Sequence, residues 1–278
     1  MLWGDRETGR CGWRLLDYAT KGWLLGLLAF AAWVTIASAA SKQELLVSAA
    51  ISLKEPLREI GVLFEQRHPE VKVVFNWGAS GLLQQQIEQG APVDVYVSAA
   101  TQQMDELEVK GLLLNETRRT LTANRVVLIR SSALRSDLTS FKDLTKSEVK
   151  LIAIGNPRTV PAGEYAQRVL MSLGLRDSLQ PKLIFTGNVR QALAYVVRGE
   201  VEAALVYATD AQSAGEAVQV VAAAPERSYP PVLYPIAVVK TSKQSQEARA
   251  FVDLTLSEAG QRILMAHGFL SPPKALAR

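Results

Sequence analysis

Cysteine is all but missing from the 278 residues: Cys11 is the only one. It lies ahead of the apolar core of the N-terminal segment, so it is not placed as a lipoprotein cysteine. From residue 40 onward the chain has no thiol, which excludes disulfides, cysteine nucleophiles and thiolate metal sites together. Histidine is nearly as scarce. His68, in QRHPE, and His267, in MAHGF, both fall near predicted helix ends, where the residue commonly answers the helix dipole. Neither neighbours a G-x-S-x-G nucleophile elbow, and paired carboxylates with clear acid–base placement are missing, which argues against an enzyme. Charge is not concentrated in one sign. The 31 Lys and Arg exceed the 27 Asp and Glu by a formal +4, with no basic run interleaved with aromatics, so nucleic acid is not an expected partner. There is no low-complexity tract and no repeat of fixed period.

What is present begins with an N-terminal segment unlike the rest. KGWLLGLLAFAAWVTIASAASK holds an apolar run from Trp23 to Ile36, preceded by Arg6, Arg10, Arg14 and Lys21. Ala37-Ser38-Ala39 fits the small-x-small pattern of a signal-peptidase site, so residues 1–39 read as a signal peptide cleaved near Ala39. An uncleaved anchor is the rival reading, and the apolar run is shorter than the roughly 20 residues of a comfortable span.

The remaining length suits two domains or one large one. Strand-like runs (ELLVSA, VKVVFNW, VDVYVSA, RVVLI, VKLIAIG, KLIF, EAALVYA, VQVVAA and PIAVV) alternate with amphipathic helix patterns. Over 52–67 the apolar residues Leu53, Leu57, Ile60 and Phe64 share one helical face. Similar patterns predict helices over 80–89, 163–173 and 189–198. Strands separated by helices predict an α/β chain with largely parallel sheet. RRTLTANRVVLIR (118–130) and SYPPVLYPIAVVK (228–240) are the candidate connections between two lobes, with C-terminal helices around 243–257 and 258–267 returning to the first.

Four loop-to-helix junctions have a chemistry in common. They are Ser48-Ala49-Ala50-Ile51-Ser52, Gly78-Ala79-Ser80-Gly81, Val160-Pro161-Ala162-Gly163 and Thr186-Gly187-Asn188-Val189. Each sets small or hydroxyl residues where a helix begins and its first N–H groups lack carbonyl partners. Singly, each reads as an ordinary N-cap or a tight turn. Converging on one point, they would cradle an anion without any fixed positive charge.

The order of these segments carries a family resemblance. AAISLKEPL, GASGLLQQQIEQGAPVDVYVSA, GNPRTVPAGEYA, GNVRQALAYVVRGEVEAALVYATDA and YPIAVV, spread from residue 44 to about 268, resemble the periplasmic molybdate-binding proteins of ABC importers. These are type II solute-binding proteins. The resemblance implies an α/β, two-lobe fold of the periplasmic-binding-protein type II class, each lobe a mixed sheet flanked by helices, with the ligand in the cleft between them. It implies lobe one over 41–122 and 237–278, and lobe two over 123–236. It implies a monomeric, exported, periplasmic protein that takes molybdate, and tungstate with it, as ligand, has no cofactor, and serves an ABC permease and its ATPase. Carried over residue by residue, the ligand contacts fall on the hydroxyls of Ser52 and Ser80, the backbone amides of Ala162 and Val189, and the hydroxyl of Tyr207. Molybdenum would be held only as its oxyanion, through these same residues.

Two departures stand out. Ala100 occupies the place where the family usually has an aspartate, so Thr101 is expected to cap the next helix instead. GASG also differs from the serine-rich version of its loop. Arg190, beside a predicted donor, is expected to pair outside the pocket, and Asp210 to hold the loop after Tyr207. Sulfate or phosphate as ligand of the same fold remains the alternative.

Overall fold

The computed structural model describes residues 42–133 and 137–273. The signal-peptide reading of residues 1–39 lies outside the described residues. Among the described residues, no helix is long and apolar enough to cross a membrane.

The chain opens with β1 (Gln43–Ala50), a single 3-10 turn over Ile51–Leu53, α1 (Lys54–Arg67), β2 (Val71–Gly78), α2 (Ser80–Glu88), β3 (Val95–Val97), α3 (Thr101–Val109) and β4 (Arg119–Asn124). It crosses at Arg125 into β5 (Val126–Ser131), β6 (Ile152–Gly155), α4 (Pro161–Ser172), the short α5 (Arg176–Leu179), β7 (Leu183–Thr186), α6 (Val189–Val197), β8 (Ala203–Tyr207), α7 (Ala208–Ala214) and β9 (Val218–Ala223). It returns over 224–231 to β10 (Val232–Val238), α8 (Ser245–Leu256) and α9 (Glu258–Ala266).

Two five-stranded sheets result, in the orders β2-β1-β3-β10-β4 and β7-β6-β8-β5-β9. Both are mixed. β1 runs parallel to β2 and β3 while β10 runs antiparallel to β3 and β4. β6 runs parallel to β7 and β8 while β5 runs antiparallel to β8 and β9. The expectation of a largely parallel sheet therefore holds only for the strands joined through helices. In each sheet the one strand that runs against the other four is the first after a crossing, β10 or β5. The crossings fall a few residues from the expected boundaries at 122/123 and 236/237, because β4 continues to Asn124 and β10 already pairs from Val232.

The core follows the periodicity. On α1, Leu57, Ile60 and Phe64 are fully buried, each contributing about 1.5–3 kcal/mol of apolar burial. Phe64 meets Phe251 of α8 edge-on, with ring centroids 5.4 Å apart. Pro56 lies in the first turn of α1, where the missing N–H has no carbonyl to lose. The other face of the first sheet is covered by α2 and α3 through Leu83, Ile87, Met104 and Leu107, packed on Tyr96 and Ala237. The tail after α9 pairs with β4, where Ala123 and Leu270 exchange backbone hydrogen bonds of 2.8 and 2.9 Å.

Two helix starts differ from expectation. α1 begins at Lys54 rather than at residue 52, because the chain leaves β1 through a 3-10 turn, a common way to open a helix. α4 begins at Pro161 rather than at Gly163, since a proline at the first helical position has the right φ and no donor to waste. Gly163 is then needed for close approach: a Cβ there would lie 1.9 Å from the carbonyl oxygen of Gly155, at the end of β6.

Candidate functional site

β1, β2, β6 and β7 all deliver their C-terminal ends to one place. In open α/β sheets the crevice outside the carboxyl ends of the strands is where ligands collect. The cleft found there has an empty volume of about 220 Å³ and is lined from both sheets. Ser52, Ser80, Ala162, Val189 and Tyr207 all line it.

Ser52 sits in the 3-10 turn after β1 and is 2% exposed, its Oγ 3.1 Å from the Tyr234 Oη. Ser80 is the first residue of α2. Its Oγ accepts a 3.0 Å hydrogen bond from the Ala99 amide, and its carbonyl accepts from the Tyr96 hydroxyl at 2.8 Å. An amide can only donate, so the proton of Ser80 is left for another acceptor.

Ala162 follows Pro161, which has no N–H, so its amide is the first donor of α4. Val189 is the first residue of α6. The cap of that helix is Asn188, whose Oδ1 accepts from the Gln191 amide at 3.0 Å. The cap thereby serves the third helical position and leaves the Val189 amide, at the first, without a side-chain acceptor.

Tyr207 ends β8 and is 1% exposed, its hydroxyl 3.5 Å from the Ala99 carbonyl in the loop after β3. Burial, with Tyr234, Tyr165 and Asp210 nearby, raises its phenol well above the ordinary range, so it stays a neutral donor. Its amide donates to Asp210 Oδ2 at 3.2 Å, which fixes the turn into α7.

Among the described residues, those lining the cleft carry no formal charge. Arg190, next in sequence to Val189, is engaged elsewhere. Arg190 directs its guanidinium to Asp210 (2.8 Å), to Glu55 (2.5 Å) and to the Ser213 hydroxyl (2.9 Å). Glu55 belongs to α1 and the other partners to α7, so this ion pair ties the two lobes together beside the cleft. Burial pushes the Asp210 carboxyl up to about 6, against the pull of Arg190 and the Tyr207 amide. A second tie is the Gly81 amide of α2, which donates to the Thr159 carbonyl at 3.0 Å.

The capping role expected of Thr101 is not met. Thr101 is the first residue of α3, and the cap is Ala100, which has no side-chain acceptor. The amide of Ala100 donates to the Ser98 hydroxyl at 3.2 Å, a local turn before the helix that leaves the first N–H groups of α3 without a side-chain cap. The two histidines are structural. His68 caps α1 with its ring stacked on Phe64 at 4.3 Å, and His267, after α9, lies 3.1 Å from Glu59. Among the described residues, no cluster of three His, Cys, Asp or Glu side chains is arranged to hold a metal ion.

Sequence reasoning missed two residues behind the cleft, Asn124 and Tyr234. Both are buried polar residues on strands of the first sheet. The signal was available as a tyrosine in the apolar stretch YPIAVV and an asparagine at the polar turn TANR, but nothing local says what they touch.

Chemically, the cleft offers hydroxyls and helix-start amides with no neutralising cation. Each helix N-terminus adds about 0.3–1 kcal/mol toward an anion, and up to ~2 when partly buried. Hydrogen bonds to a charged acceptor are about twice as strong as neutral ones.

Comparison with known proteins agrees with this geometry. Residues 45–270 match the family model of bacterial extracellular solute-binding proteins. The molybdate-binding protein ModA of Haemophilus influenzae is 34% identical over 235 residues, covering 84% of this chain and 92% of its own. ModA of Escherichia coli is 36% identical over 234 residues, covering 83% and 90%. Among solved structures, the periplasmic molybdate-binding protein of Azotobacter vinelandii superposes with a TM-score of 0.74 at 25% identity, over 82% of this chain and all of the other. With its two mixed sheets, the cleft between them and these relatives, the chain belongs to the bacterial extracellular solute-binding protein family.

Proposed function

We propose that this protein captures molybdate, and tungstate with it, outside the cytoplasm and hands it to the permease and ATPase of an ABC importer. What supports the reading is that Ser52, Ser80, Ala162, Val189 and Tyr207, each able to donate a hydrogen bond without carrying charge, all line one cleft with no charged residue in its lining. The names of the relatives at 34% and 36% identity supply the ligand.

A dianion stripped of water is very costly to bury unpaired, and a ring of donors is what compensates it. Donors without acceptors also discriminate. An oxyanion that keeps a proton, such as hydrogen phosphate, would direct that proton at an N–H and be rejected. Sulfate carries the same charge as molybdate on a smaller body, so cavity size must separate those two. The protein performs no reaction; binding draws two lobes, one built on each sheet, into the closed arrangement that the permease recognises. The chain acts as a monomer in the periplasm after export and cleavage near Ala39.

The experiment is isothermal titration of the purified chain from residue 41 with molybdate, tungstate, sulfate and phosphate in parallel. Tight one-to-one binding of molybdate and tungstate with weak sulfate is the expected result. Tight sulfate or phosphate binding in place of molybdate would overturn the ligand assignment while keeping the cleft.

A further inference from the structure

A chain of buried hydrogen bonds leads away from Ser52. Its Oγ is 3.1 Å from the Tyr234 Oη, and that oxygen is 3.3 Å from the Asn124 Nδ2. The same Nδ2 donates to the Thr209 Oγ1 of α7 at 2.9 Å. At the far end, the Arg125 amide donates to the Asn124 Oδ1 at 2.8 Å. None of these groups beyond Ser52 lines the cleft.

The directions along the chain follow from its fixed end. The Arg125 amide can only donate, so it defines which end of the Asn124 amide is oxygen. The two Nδ2 protons then go to Thr209 and Tyr234, so the Tyr234 oxygen accepts. Its own single proton is left for Ser52, and the Ser52 Oγ accepts in turn. In the reverse polarity the Tyr234 proton would be buried with no acceptor, an expensive arrangement at a side chain that is 0% exposed. Burial raises the Tyr234 phenol far above the ordinary range, so the proton is there to give.

We infer that Tyr234 is a positioning residue: it occupies a lone pair of Ser52 as donor and thereby commits the Ser52 proton to the ligand in the cleft. Tyr234 does for Ser52 what the Ala99 amide does for Ser80. One serine is set by an obligate backbone donor. The other is set by a phenol whose direction is imposed by Asn124, at the crossing between the lobes. Each hydroxyl is delivered to the cleft as a donor before any ligand arrives, so binding does not have to reorient it.

This inference rests on the cleft being the oxyanion site, and its test separates the two. Molybdate affinity is measured by titration for the parent protein, Ser52→Ala, Tyr234→Phe and the double variant. Tyr234→Phe keeps the ring that packs edge-on against Tyr207 and Phe269. In the parent background it is expected to weaken binding about 3- to 10-fold, the worth of one ordinary hydrogen bond. In the Ser52→Ala background it is expected to cost less than about twofold, because a residue that acts through Ser52 has nothing left to act on. An equal cost in both backgrounds, or no cost in the parent, overturns the inference and leaves the site standing. If Ser52→Ala itself leaves the affinity unchanged, the site reading and the inference fall together. Should Tyr234→Phe not fold, Asn124→Asp serves in the same two backgrounds. Its carboxylate can only accept, so Tyr234 must donate to it and Ser52 to Tyr234, turning the serine proton out of the cleft. A larger loss in the parent than in the Ser52→Ala background is expected, and equal losses overturn the inference.

Discussion

The Gly81 amide and the Thr159 carbonyl join the two lobes by a 3.0 Å hydrogen bond at the rim of the cleft, and only a glycine allows it. A Cβ on Gly81 would lie 2.8 Å from the same carbonyl oxygen and 3.0 Å from the Thr159 Cα. Gly81→Ala should therefore hinder closure while leaving each lobe intact, since alanine favours the α2 helix. The expected loss of ligand affinity is about 1–3 kcal/mol, the usual cost of overpacking a tight contact. Titration gives the loss, and small-angle scattering of the liganded variant should show a less compact particle than the parent. Unchanged affinity would mean that closure does not bring these two residues together.

The donors at helix starts can be removed one at a time. Val189→Pro deletes a single N–H at the first position of α6, where proline is favoured, and Asn188 before it is already extended at φ −163° and ψ 170°. Tyr207→Phe deletes a single hydroxyl. Each should weaken binding by about 1.5–3 kcal/mol, the range for a hydrogen bond to a charged group. Thermal unfolding of the ligand-free variants serves as the control for folding. If both variants bind like the parent, these residues do not contact the ligand.

Glu55 and Arg190 form the lateral tie between the lobes. Glu55 is 42% exposed at its side chain, so solvent screens the pair and its worth is small, about 0.2–1 kcal/mol. Glu55→Gln should lower ligand affinity by that amount at low salt and by nothing at high salt, where the parent pair is already screened. Titrations of parent and variant at both ionic strengths decide it. A penalty that persists at high salt would point to a packing role.

Asp210 makes a pH prediction with a definite sign. Its carboxyl is raised to about 6 in the folded chain, from an ordinary aspartate value of 3.8, chiefly by burial. The folded state thus holds the proton more tightly than the unfolded state. Stability from this group is greatest below pH 4 and declines as pH rises toward and through 6. Asp210→Asn cannot ionise, so the difference in Tm, variant minus parent, should grow between pH 4 and 7. A difference independent of pH would show that the carboxyl ionises alike in both states.

Much of this architecture is legible in the sequence because its periodicities are plain. Leu57, Ile60 and Phe64 announce the buried face of α1, and Pro161 and Asn188 mark helix starts by their backbone chemistry. Ser52, Ser80, Ala162, Val189 and Tyr207 are named from the family resemblance of the segments that hold them, and all five line one cleft. What stays hidden is contact between distant segments. Tyr234 is 182 residues from Ser52, and no local pattern reports that their oxygens meet. Gly81 reads as a turn residue until Thr159 is seen above it. Nor does any local pattern report that the Ser98 hydroxyl takes the Ala100 amide before α3 begins.

The strand order has a consequence for how the chain acquires its fold. The strands of the second sheet, β5 to β9, are contiguous in sequence, so that sheet can be completed as soon as its own residues are available. In the first sheet β10 lies between β3 and β4, and the one other pairing of β4 among the described residues is with the still later tail at Leu270. β4 must therefore wait, unpaired, for a strand that arrives only after the whole second lobe has been made. Refolding should be stepwise, with the second lobe protected early and the first closing last, because the contact with the longest sequence separation carries the largest loop-closure cost. The half of the cleft that holds Ser52 and Ser80 is then the last part of the molecule to become native.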